Sequence, residues 1–272
     1  MELLRAIILG AVQGLTEFLP ISSSGHLILV PALFRWPDQG LAFDAGLHLG
    51  TLAALLVYFW RDWWEMTLAG LCDVFRGHLV HRRPDPRTRL LLLLALATIP
   101  AAIAGLLLDS WIEENLREPW IVVVSLVVVA TIMLAADRLG TLDRTVAGVS
   151  VPDAVIIGIA QACALVPGVS RSGATISAGL TRGLTRNDAA RFAFLVGTPT
   201  IAGAAMLKIG DITADPDEFR HFLAGTVTSA IVGLAAIHLF LRYLRTRNLV
   251  PFVVYRYALA LGTVLIGGFR AL

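Results

Sequence analysis

The sequence predicts an all-α integral membrane protein: six transmembrane helices plus two re-entrant helical hairpins in an inverted-topology repeat. Three observations carry this. Hydrophobic residues make up 57% of the chain and charged residues 15%, against roughly 25% charged in ordinary globular domains; mean hydropathy is +0.75. One polar-interrupted motif occurs twice, 148 residues apart. Each copy is followed by three apolar stretches of spanning length, and an odd number turns the second half upside down relative to the first.

The two copies read GAVQGLTEFLPISSSGH, from Gly10 to His26, and GIAQACALVPGVSRSGA, from Gly158 to Ala174. Gly10 matches Gly158, Gln13 matches Gln161, and Ser22, Ser24 and Gly25 match Ser170, Ser172 and Gly173. Each copy is an apolar helix that stops at a proline (Pro20 or Pro167) and restarts at a serine-rich cap. Backbone that leaves helical bonding at membrane depth is tolerated only where protein or water satisfies it. Segments 3–35 and 152–181 are therefore expected to enter to mid-membrane and return.

A span needs about 20 mostly apolar residues. Such stretches lie at 42–60, 90–108 and 119–136, then at 189–208, 221–241 and 249–268. The chain is expected to be a single membrane domain, 1–272, with repeat one over 1–140 and repeat two over 150–272. Leu49-Gly50-Thr51, echoed by Val196-Gly197-Thr198, carries the similarity past the hairpins.

Loop charge gives an orientation. Arg61, Arg76, Arg82, Arg83, Arg87 and Arg89 follow the first span, and Arg182, Arg186, Arg242, Arg245 and Arg247 lie in loops of the second half. Two other loops are acidic, with Asp109, Glu113, Glu114 and Glu118 in one and Asp211, Asp215, Asp217 and Glu218 in the other. The positive-inside rule puts the arginine loops in the cytoplasm. The first hairpin then enters from outside, the second from the cytoplasm, and their tips meet near the midplane.

Composition also excludes some classes. A net charge of +2, with no basic run interleaved with aromatics, gives no sign of nucleic-acid binding. Cys72 and Cys163 have no metal-ligand spacing and are expected to be packing residues without a disulfide. The N-terminal apolar run carries Glu17 and leads into the first repeat, not into a signal-peptide cleavage site.

The candidate chemistry sits at the breaks. Gln13 and Glu17 are four apart and share a helix face. An ionised carboxylate at bilayer depth costs about 2.5–3.5 kcal/mol on insertion scales, so it usually marks a functional cavity. Gln13 is not an anionic ligand, but its amide oxygen is able to coordinate a metal or orient a water. Ser22, Ser23 and Ser24 open the next helix, where one serine is needed as a cap and free N–H groups make a phosphate cradle. His26 lies three residues beyond Ser23, on the same face, and is a candidate acid or base.

At the second break, Ser170, Arg171 and Ser172 place a guanidinium at a helix start, with Thr175 one turn on. Arg171 needs an anion, either Glu17 in a structural ion pair or a phosphate matching its planar fork. A phosphate beside Glu17 in turn calls for an oxygen-liganded divalent cation, Mg²⁺ or Ca²⁺. Arg256, in the last span, is expected to snorkel to the cytoplasmic surface. His48 and His238 are expected to be packing or interface residues.

At these residues the chain resembles the undecaprenyl-diphosphate phosphatase family of the bacitracin-resistance type. The likeness is carried by QGLTEFLPISSSGH at 13–26, PGVSRSGATIS at 167–177 and PFVVYR at 251–256. The resemblance implies a bacterial plasma-membrane enzyme that hydrolyses undecaprenyl diphosphate to undecaprenyl phosphate and inorganic phosphate, recycling the lipid carrier for wall polymers. It further implies metal dependence and a site opening to the extracytoplasmic face. By resemblance Glu17 is a metal or acid–base residue, Ser23 the nucleophile and His26 its proton-transfer partner; a water activated directly by His26 and Glu17 is the alternative to attack by Ser23. Arg171 is similarly the diphosphate clamp, with Ser170 and Thr175 as supporting hydroxyls and Ser22 and Ser172 beside them. The family's acidic motif is Glu or Gln, three residues, then Glu; this chain carries Gln13 and Glu17, the expected metal residues. The implied partners are a polyprenyl diphosphate and membrane lipid, with a homodimer left open. A flippase or transporter without hydrolysis is the competing reading, since inverted repeats with broken helices are common in transporters.

Overall fold

A computed structural model describes residues 2–36, 40–77, 84–116, 118–208 and 216–270. Its helices are α1 (Glu2–Phe18), α2 (Ser23–Phe34), α3 (Gly40–Tyr58), α4 (Trp60–Phe75), α5 (Pro86–Asn115), α6 (Pro119–Leu139), α7 (Val151–Cys163), α8 (Arg171–Thr181), α9 (Arg186–Lys208), α10 (Pro216–Leu244) and α11 (Val250–Arg270). No strand occurs among the described residues. Arg82, Arg83, Asp211 and Asp215 lie outside them, as do the side chains of Asp109, Glu113, Asp217 and Glu218.

Among the described residues four stretches are long and apolar enough to cross a membrane: Pro86–Leu108, Pro119–Leu139, Arg186–Met206 and Phe219–Leu244. The other two expected spans correspond to α3 and α11, of 19 and 21 residues. At about 1.5 Å per residue these are close to the roughly 30 Å of a bilayer core. The protein is an all-α, multi-pass membrane protein. α2 and α8, of 12 and 11 residues, are too short to cross. Each returns from a break, as a hairpin requires. One expectation needs correction: the region after the first span is not all loop, because Trp60–Phe75 continues as α4.

Small residues set the helix packing. A Cβ added at Gly10 would lie 2.4 Å from the Gly225 carbonyl oxygen, and one at Gly158 would lie 2.5 Å from that of Ala97. The first helix of each hairpin is thus pressed against the second long span of the opposite repeat, α1 on α10 and α7 on α5. Gly14 faces Ser229 and Gly233, one turn beyond the Gly10–Gly225 contact, so α1 runs parallel to α10.

The direction of the second hairpin follows from polar contacts at the opposite end. Arg89, near the start of α5, donates to the Val149 carbonyl just before α7, at 2.7 Å. Asp137, at the end of α6, accepts from Arg186 at the start of α9 and from the Leu249 amide before α11. Asn187 donates to the Leu241 carbonyl near the end of α10. Asp153, in the first turn of α7, joins Arg144 and Arg182, each at 2.7 Å. α7 therefore enters from the end where α10 finishes, and α1 from the end where α10 begins. The two hairpins enter from opposite ends.

Cys72 and Cys163 are both free and exposed, so neither packs in the core as expected. The core is built largely from Phe18, Phe59, Phe192, Phe194 and Phe240 with Leu, Ile and Met between the hairpins and α9.

Candidate active site at the hairpin tips

The two breaks have the same local construction. Ser22 caps α2 and Ser170 caps α8, with φ of 75° and 74°. A positive φ is strained for a side-chain-bearing residue, costing about 1–3 kcal/mol. Each hydroxyl accepts from the backbone N–H three residues on, Gly25 at 3.3 Å and Gly173 at 3.1 Å. Each also meets a second serine hydroxyl, Ser24 at 3.4 Å and Ser172 at 3.2 Å. The matched serines of the sequence repeat are matched in geometry.

The caps also join the hairpins to one another. Ser172 donates to the Leu19 carbonyl at 3.1 Å, and the Gly168 amide donates to Ser24 Oγ at 3.5 Å. Arg256 completes the junction. Its side chain is fully buried, which corrects the snorkelling expectation. Its guanidinium donates to the Pro20 carbonyl in the first break, to Gly168 and Val169 in the second, and to Ser125 and Leu126 on α6. Five carbonyls on three segments hold one cation. Gly168 itself has φ of 90°, and an added Cβ would lie 2.7 Å from the Val122 carbonyl oxygen; only glycine fits the second break here.

At this junction, Glu17 is buried, at 6% exposure, and both its oxygens are engaged. Oε1 pairs with Arg171 Nη2. Oε2 accepts from Ser23 Oγ at 2.5 Å and from Gln13 Nε2 at 3.0 Å. Arg171 also donates to the Gly197 carbonyl at 3.2 Å. A guanidinium has five N–H donors, so its fork is not exhausted by these two bonds. Gln13 is fully buried, and its Oε1 has no partner.

The sequence candidates therefore divide. Glu17, Ser23, Arg171 and Gln13 come together. Ser22, Ser170 and Ser172 are there too, but their hydroxyls build the caps and the junction. Thr175, 1% exposed, donates back to the Arg171 carbonyl at 2.7 Å and braces α8. His26 lies beside the group but not on Ser23: its Nδ1 is 2.7 Å from the Ser22 carbonyl and its Nε2 is 2.6 Å from the Tyr255 hydroxyl.

Two residues near the group were not picked out by sequence reasoning. His48, expected to be a packing residue, has Nε2 3.8 Å from Glu17 Oε2 and Nδ1 2.8 Å from the Asp44 carbonyl. Its position just before the echoed Leu49-Gly50-Thr51 was the available signal. Tyr255 lies inside PFVVYR, but a tyrosine in an apolar span has no distinguishing pattern. His238 does pack, against Tyr58 at 6.3 Å between ring centres. Among the described residues no group of three or more His, Cys, Asp or Glu is gathered as a metal cage.

Chemically, the arrangement offers a hydroxyl hydrogen-bonded to a buried carboxylate, with a guanidinium on the carboxylate's other oxygen and two helix starts alongside. Such a group can activate the hydroxyl and bind an anion.

The family model described as "Bacitracin resistance protein BacA" matches residues 6–262. A protein of Moorella thermoacetica called undecaprenyl-diphosphatase is 46% identical over 263 residues, covering 96% of each chain. Proteins of the same name from Rubrobacter xylanophilus and Idiomarina loihiensis are 46% and 43% identical, with coverage of 96% of this chain and 96% and 97% of theirs. With this match over nearly its whole length, the chain belongs to the bacitracin resistance protein BacA family.

Proposed function

We propose that the chain hydrolyses undecaprenyl diphosphate to undecaprenyl phosphate and inorganic phosphate, recycling the lipid carrier of wall synthesis at the bacterial plasma membrane. The observation that carries this reading is the Ser23 hydroxyl donating to Glu17 at 2.5 Å while Arg171 holds the carboxylate's other oxygen. The names of the similar proteins support it. The site opens to the extracytoplasmic face, the side from which the first hairpin enters under the positive-inside rule.

The diphosphate lies at the meeting tips, with the polyprenyl tail among the spans. Ser23 Oγ attacks the terminal phosphorus and its proton passes to Glu17. The bond from that phosphorus to the bridging oxygen breaks, and undecaprenyl phosphate leaves. A water then attacks the phosphoserine, its proton passing to His26, and Glu17 returns its proton to the Ser23 oxygen as inorganic phosphate departs. Arg171 and the N–H groups of the two helix starts stabilise the charge on the transferring phosphoryl group, the larger part of catalysis in such reactions.

A divalent cation fits this donor set together with substrate. Mg²⁺ is commonly held by one or two carboxylates plus substrate phosphates. Here the Glu17 carboxylate and the buried, unpartnered Oε1 of Gln13 are the residues that would hold Mg²⁺ or Ca²⁺. When bound, the ion would neutralise charge on the diphosphate.

Phosphate release from a polyprenyl diphosphate by the detergent-solubilised protein, with and without chelator, tests the reading. Release that stops with chelator and returns with Mg²⁺ or Ca²⁺ is expected. Lipid movement across vesicles without phosphate release would contradict it.

A further inference from the structure

We propose that Tyr255 is a positioning residue for this reaction, acting through His26; the catalytic part of this inference rests on the proposed hydrolysis. The hydrogen bonds assign the roles of both ring nitrogens. A carbonyl oxygen only accepts, so the His26 Nδ1 that lies 2.7 Å from the Ser22 carbonyl carries the hydrogen. In the neutral imidazole Nε2 is then bare, and the Tyr255 hydroxyl, at 2.6 Å, donates to it. The two rings are within 9° of parallel, 5.6 Å between centres. The result is a chain from carbonyl to imidazole to hydroxyl, with the imidazole buried at 6% exposure and the tyrosine 43% exposed.

The second repeat supplies an internal control. Ala174 occupies the place of His26, yet Ser170 has the same φ as Ser22. The equivalent backbone bonds also match: Ala174 N–H to the Ser170 carbonyl at 2.9 Å, and His26 N–H to the Ser22 carbonyl at 3.2 Å. The cap forms without an imidazole. His26 is therefore not needed to build the turn; the turn holds His26 by one nitrogen, and Tyr255 holds it by the other. Arg256, next to Tyr255 on α11, anchors that helix to both breaks, so the phenol is delivered to a fixed place. Tyr255 keeps the imidazole, one turn beyond Ser23, in one tautomer and one orientation.

The test combines kinetics with ¹⁵N spectra of histidine-labelled protein in detergent. Tyr255→Phe is expected to lower kcat about tenfold, the size of one coupled hydrogen bond, with KM unchanged. His26→Ala is expected to lower kcat at least as far, and the double variant no further than His26→Ala alone. In the spectra, wild-type His26 should show a protonated Nδ1 and a bare Nε2, and the Nε2 resonance should move to its unbonded position in Tyr255→Phe. A tyrosine that does not bond His26 would leave that resonance where it is, and one that only supports the fold would lower the melting temperature without lowering kcat. An unmoved Nε2, or losses that multiply in the double variant, would overturn the proposal. Wild-type protein that releases no phosphate would overturn the hydrolysis reading and with it the catalytic role of Tyr255, while the resonance would still decide the contact.

Discussion

Arg171, from the second repeat, is ion-paired with Glu17, from the first. The charged centre therefore exists only when both hairpin tips are in place, and the inverted repeat is the device that brings them together.

Glu17→Gln keeps the shape but removes the charge that Arg171 and Ser23 share. The expected result is a fall in kcat of about 100-fold or more, with loss of thermal stability because Arg171 is left unpaired. Phosphate-release kinetics and a melting curve on the same preparation check both.

Arg171→Lys separates charge from shape. Lysine keeps the cation but not the planar fork that bonds Gly197 and Glu17 together. Activity should fall about 100-fold or more, as for loss of a transition-state donor, and added salt should not restore it. Wild-type kcat in this variant would show that a point charge is enough.

Arg256→Met should act on the fold. It leaves five carbonyl acceptors without their donor in a buried junction, at a cost of about 3 kcal/mol or more. Arg256→Lys, which can serve fewer of the five, should fall between. Melting temperatures in detergent give the order.

Gly10→Ala and Gly158→Ala test the equivalence of the repeats. Each new Cβ would meet a backbone oxygen, at 2.4 Å and 2.5 Å, and each should cost about 2 kcal/mol. Gly105→Ala, where nothing lies within 4 Å, should be neutral or stabilising because alanine favours helix.

The architecture was legible because it rests on patterns that survive in one dimension. The offset between Ser22 and Ser170 foretold two serine caps, and the breaks at Pro20 and Pro167 foretold helices too short to cross. Glu17, Ser23 and Arg171 were legible because charge and hydroxyls in apolar sequence are costly there. What was missed depends on the third dimension. Arg256 reads as a surface-seeking arginine until the carbonyls of two distant breaks are folded around it. His26 and Ser23 share a helix face by spacing, yet the Ser22 carbonyl and the Tyr255 hydroxyl take both ring nitrogens and leave Ser23 to Glu17. His48 reads as packing because its approach to Glu17 comes from α3, not from the motif.

The central claim is that Ser23, oriented by Glu17, is the reacting hydroxyl. The most direct measurement is phosphate release by Ser23→Ala, in protein whose melting curve matches the wild type. The account predicts a loss of about 1,000-fold or more, with a phosphoserine trapped at Ser23 in the wild type after rapid quenching. Near-full activity in Ser23→Ala would contradict it.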